Sequence, residues 1–126
     1  MTGKKVLIVE DMQPIQDALA TSLRDAGYTV VTAGNGESGL AVALEERPDL
    51  ILVDIIMPKM DGLDMIKSLR KDEWGKHAQV MLLTNLDDSD KVMEAHSYDV
   101  YDYLVKADWK LENVVQRVNE RLGVHP

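Results

Sequence analysis

The sequence predicts an α/β fold, a parallel five-stranded sheet with helices on both faces. Five short apolar runs alternate with five segments whose apolar residues recur every three or four positions, the pattern of strands alternating with helices. Three of those runs, centred on Val6 to Val9, Leu50 to Val53 and Val80 to Leu83, carry no alternating polar face, as expected of strands covered on both sides. The length, 126 residues, suits one domain with one sizeable core.

Taken in order, the first strand, 4–9, ends on Glu10 and Asp11. In 13–26, Ile15, Ala18, Leu19, Ser22, Leu23 and Ala26 fall at helical spacing, with Pro14 in the first turn and Gly27 as the stop. Segment 28–33 alternates apolar with hydroxyl side chains, which predicts a half-exposed strand. The turn Gly34-Asn35-Gly36 then leads into a helix over 37–46, with Leu40, Ala41 and Leu44 inward and Pro48 closing it. The strand 50–53 stops on Asp54, and Pro58 and Asp61-Gly62 turn the chain away. The next helix, 63–71, buries Leu63, Ile66 and Leu69, and Trp74-Gly75 breaks it.

Strand 79–83 stops on Thr84-Asn85. The acids and Ser of 87–90 favour a helix start, and that helix runs over 87–97. Strand 101–105 ends on Lys106. The last helix, 109–122, aligns Leu111, Val114, Val115, Val118 and Leu122, with Asp108 as N-cap and Gly123 as stop. The all-apolar first, third and fourth strands belong in the centre, and the alternating second strand and the Asp102-bearing fifth belong at the edges. That pattern fits a flavodoxin-like (βα)5 doubly wound sheet of order 2-1-3-4-5, whose ligands bind beyond the carboxyl ends of the strands near the first and third.

Composition narrows the function. A net charge of -8 disfavours direct contact with nucleic acid or an anionic membrane and suits a cation site. No Cys is present, so disulfides and thiolate metal sites are excluded. The early apolar run is too short to span a membrane, which together with the missing Cys predicts a cytoplasmic protein, and the length predicts a single domain with no effector domain appended.

Four strand ends deliver Glu10, Asp11, Asp54, Thr84 and Lys106 to one rim. Three neighbouring carboxylates repel each other, and a hard divalent cation such as Mg²⁺ relieves that repulsion through oxygen ligands. An ammonium and a hydroxyl beside such a site can hold phosphoryl oxygens while a carboxylate attacks in line, and Asp54 is the central carboxylate.

With the acidic pair Glu10-Asp11, the run from Val53 to Gly62, Thr84, and Tyr103-Leu104-Val105-Lys106, the chain resembles the receiver domain of two-component response regulators along its whole length. The strand order chosen above is not independent of that resemblance. It implies a stand-alone response regulator whose Asp54 takes a phosphoryl group from a phosphohistidine on a sensor histidine kinase or phosphotransfer protein. Mg²⁺ would be held by Asp11, Asp54 and the main-chain carbonyl of Ile56, with Glu10 acting mainly through water. Thr84 and Lys106 would contact the phosphoryl group, and Tyr103 would be the switch aromatic. Output would pass to an effector protein through the fourth helix, fifth strand and fifth helix, a surface also suited to a homodimer. Such a domain catalyses only its own phosphorylation and dephosphorylation.

Three departures from the family pattern stand out. Ala107 replaces the usual Pro, so the 106–107 bond is expected to be trans. Asn85 replaces a very small residue beside the site and is expected to narrow access to Asp54. Asp99-Val100 replaces a Gly-Ala pair, in a turn that Asp tolerates. Two other functions compete. A Mg²⁺-dependent phosphatase is disfavoured because position 56 is Ile and not a second acid, whereas a receiver-like module acting without phosphorylation is motivated by Asn85 and Ala107. Met57 and Met60 read as loop packing, and His77, His96 and His125 as surface residues.

Overall fold

The computed structural model describes residues 2–57, 59–85, 88–106 and 110–124. Its elements are β1 (Lys5–Val9), α1 (Gln13–Asp25), β2 (Thr29–Ala33), α2 (Gly36–Glu46), β3 (Leu50–Asp54), α3 (Gly62–Leu69), a 3-10 turn at Gly75–His77, β4 (Val80–Thr84), α4 (Ser89–His96), β5 (Asp102–Val105) and α5 (Leu111–Leu122). All strand pairs are parallel, in the order β2-β1-β3-β4-β5, as expected.

Side chains of a strand alternate between faces, and that period splits the core in two. Leu7, Val9, Ile51, Val53, Val80 and Leu82 meet α2, α3 and α4 through Ala43, Met65, Ile66, Leu69 and Ala95. Val6, Ile8, Leu50, Leu52, Met81 and Leu83 meet α1 and α5 through Leu19, Leu23, Val114 and Val118. The central strands have apolar residues on both faces because helices cover both.

Several expectations are corrected. In α2 the inward residues are Gly36, Gly39 and Ala43, with Leu40 half-buried against the same core as expected, while Leu44 is 38% exposed and Ala41 is exposed. The cause is close approach: a Cβ on Gly39 would lie 2.8 Å from a Val9 methyl and 3.0 Å from the Met65 sulfur, so glycine sets this face and apolar spacing misleads. Leu111 is 41% exposed and leaves the stripe of α5 to the buried Val114 and Val118 and the half-buried Val115 and Leu122. His96 is half-buried, its ring 5.2 Å from that of Tyr101. α4 starts at Ser89 and α5 at Leu111, each two residues later than expected. The expected trans bond before Ala107, Asp108 as a cap, and His125 fall outside the described residues.

Asp99 adopts the left-handed φ of 61° that the turn before β5 requires. Beneath that turn, Arg70 donates through Nε to the Tyr98 carbonyl and through Nη1 to the carbonyls of Gly75 and Ala78. Burial is the main reason its pKa falls below the ordinary value, and Asp99 opposes that fall.

Candidate functional site

β3 and β4 each run one residue further than their apolar stretches, so Asp54 and Thr84 are the last residues of their strands. Both are buried, at 3% and 1% exposure. Asp54 stays in place because the chain folds back beneath it: the Gly62 N–H donates to the Ile55 carbonyl at 2.8 Å. A side chain on Gly62 would collide with the Asp54 carbonyl, so glycine is sterically required at that position. Asp61 also caps α3, accepting from the Asp64 N–H at 2.9 Å.

Glu10 is fully buried, although it directly follows β1. Its N–H donates to the Ala33 carbonyl at 3.0 Å, and Gln16 from α1 donates to the carbonyls of Glu10 at 2.9 Å and Ala33 at 3.1 Å. Gln16 was missed in the sequence, yet it shares the helical spacing of buried Leu19, Ala20 and Leu23. A polar residue on a buried stripe is the signal that would have found it.

Lys106 joins the two carboxylates, with Nζ 2.9 Å from Asp54 Oδ2 and 3.0 and 3.3 Å from the Glu10 oxygens. These residues lie 96 and 52 positions apart in the chain and meet only through the strand order. Burial raises the Glu10 carboxyl, the hydrogen bond and charge of Asp54 raise it further, and Lys106 opposes both; the result is a pKa of about 7 in place of 4.5. Burial works against the Lys106 ammonium, but Asp54 and Glu10 outweigh it and hold its pKa above the ordinary value.

Asp11 is exposed at the mouth, and Glu10, Asp11 and Asp54 each offer a carboxylate oxygen within 4.8 Å of the others. Three hard oxygen donors, of which Glu10 is costly to ionise when unaccompanied, suit as ligands a hard divalent cation such as Mg²⁺. The Ile56 side chain is exposed and its N–H donates to Asp54 Oδ1 at 3.2 Å. The structure therefore brings together Glu10, Asp11, Asp54, Ile56 and Lys106. Thr84 sits on the neighbouring strand, where its hydroxyl donates away from the carboxylates to the Leu104 carbonyl at 3.4 Å. From Thr84 a groove of about 280 Å³ runs between α4 and β5, lined by Val92, Met93, His96 and Val105, with Tyr103 at 45% exposure on its wall.

Residues 6–119 match the family model for the response regulator receiver domain. The chain belongs to the receiver family. This receiver is 33% identical over 106 residues to the phosphate regulon transcriptional regulatory protein PhoB of Pseudomonas aeruginosa, covering 84% of this chain and 46% of that protein. It is 40% identical over 92 residues to the alkaline phosphatase synthesis transcriptional regulatory protein PhoP of Bacillus subtilis, covering 72% and 38% respectively. It thus spans about half or less of the length of these curated relatives. Among solved structures, the chemotaxis protein CheY4 of Vibrio cholerae superposes with a TM-score of 0.87 at 32% identity, covering 94% of this receiver and 98% of that chain. No helix among the described residues is long and apolar enough to cross a membrane.

Proposed function

We propose that this receiver works by accepting a phosphoryl group on Asp54 from the phosphohistidine of a sensor kinase or phosphotransfer protein. The observation that carries the reading is the Lys106 ammonium held between buried Glu10 and buried Asp54 at the end of the sheet. An Asp54 oxygen attacks phosphorus in line, the phosphorus–nitrogen bond breaks, and the imidazole leaves with its electron pair. Glu10, Asp11, Asp54 and the Ile56 carbonyl would hold Mg²⁺, which when bound supplies charge neutralisation to the phosphoryl oxygens. Lys106 is already placed to pair with one of those oxygens, and rotation of the Thr84 hydroxyl away from Leu104 brings it to another.

That rotation opens space at the Thr84 end of the groove, into which Tyr103 turns. The changed α4–β5–α5 surface then binds an effector protein or a second copy of the chain. The site serves the domain's own phosphorylation and dephosphorylation, and the protein acts in the cytoplasm. Incubation with Mg²⁺ and a small acyl-phosphate donor, followed by intact-mass measurement, tests the proposal. One added phosphoryl group, lost in Asp54→Ala, is expected. No adduct under any condition makes the domain a receiver-like interaction module that acts without phosphorylation.

A further inference from the structure

The loop after β4 holds a contact that none of this chemistry uses. In a parallel ladder, alternate residues of a strand turn their main-chain groups toward the same neighbour. The Leu83 carbonyl accepts from the Ile55 N–H at 3.3 Å, so Leu83 faces β3 and Asn85 is the next residue to do so. By that point β3 has left the sheet, and its Ile55 carbonyl is taken by the Gly62 N–H. Continued one residue past the end of β4, that alternation turns the Asn85 N–H to the β3 side of the open sheet end, the side on which an oxyanion built on Asp54 would sit.

That donor is occupied. Asp88 stands at the N-cap of α4 but makes no side-chain capping bond to the helix; instead its Oδ2 accepts from the Asn85 N–H at 2.8 Å. The Asp88 N–H in turn donates to the Asn85 carbonyl at 3.1 Å, so two hydrogen bonds join these residues. An aspartate placed to cap a helix normally spends its carboxylate on the first-turn amides. Here it serves the amide at the rim of the site.

We infer that Asp88 is a positioning residue that holds the Asn85 amide as an internal stand-in for a phosphoryl oxygen and restrains loading of Asp54. This rests on Asp54 being the acceptor. An incoming oxyanion must displace a charge-assisted hydrogen bond, so Asp88 lowers the affinity for phosphoryl-like groups, and its displacement frees the start of α4. The sign is diagnostic. A merely structural turn would weaken binding when cut, whereas a competitor strengthens it.

The test titrates beryllofluoride, in the presence of Mg²⁺, into the full chain and its Asp88→Ala and Asp88→Asn variants, with bound fluoride followed by fluorine NMR. Asp88→Ala is expected to bind at least about threefold more tightly. Asp88→Asn keeps a neutral acceptor for the amide and is expected to stay nearer the parent. Equal or weaker binding by Asp88→Ala, at unchanged helical content, overturns the inference. So does Asp88→Asn matching Asp88→Ala, because charge alone would then explain the gain. A parent chain that binds no beryllofluoride overturns the acceptor reading itself, a failure distinct from either.

Discussion

Every residue of β3 and β4 is buried, whereas no residue of β5 is, and α4 beside it buries Ala95 alone. The two regions adjoin across one strand pair yet are held differently. Each fully buried aliphatic side chain in the centre is worth about 1.5–3 kcal/mol. α4 is tied to its α3 side by solvent-accessible ion pairs, Lys67 to Glu94 at 3.3 Å and Lys91 to Asp61 at 3.6 Å, which water and salt screen. On its other side it faces the groove toward Tyr103. The proposed acceptor carboxylate, Asp54, therefore sits where packing is tightest, and the element beside it is where a small free energy can move the chain. Asp61 spans both regions, since it caps α3 directly after the loop that follows Asp54 and pairs with α4.

Truncation should expose the contrast most strongly. Leu52→Ala, in the middle of β3, is expected to cost about 2–5 kcal/mol in denaturant unfolding. Met93→Ala, at 65% exposure on α4, is expected to stay within about 0.5 kcal/mol. Comparable losses at the two positions would show that the edge is packed as firmly as the centre.

A smaller effect separates them by pH. The Glu10 carboxyl titrates at about 7 in the folded chain against 4.5 ordinarily, so the folded state keeps a proton that the unfolded chain releases between those values. Its contribution to stability is complete below about 4.5 and is lost as pH rises through about 7. Glu10→Gln removes this dependence. The melting temperature of the variant should therefore gain on the parent as pH increases across that window, without Mg²⁺. A constant difference between the two melting curves would place Glu10 in an ordinary, water-exposed setting.

Much of the fold and the site was legible because both depend on periodicity and strand ends. The uninterrupted apolar runs identified the three central strands, and the residues ending them, Glu10, Asp54 and Thr84, are the buried polar groups of the rim. Lys106 could be placed beside partners 96 and 52 residues away only through the strand order. What escaped depends on contacts that carry no spacing signal. The inner face of α2 is set by glycines pressed against β1 and the Met60 loop, so a search for apolar residues found Leu40 but also took in the exposed Ala41 and Leu44. Arg70 and Asp88 act on main-chain groups, which look alike in every sequence. Gln16 escaped for the same reason, since its partners are the main-chain carbonyls of Glu10 and Ala33.

Hydrogen exchange on the full chain, with and without beryllofluoride and Mg²⁺, tests most directly that a rigid rim is read out by a loose edge. The account predicts altered exchange in residues 85–105, little change in β1 and β3, and no response in Asp54→Ala. Unaltered exchange across α4 and β5, under conditions where mass measurement finds Asp54 modified by an acyl-phosphate donor, would contradict it.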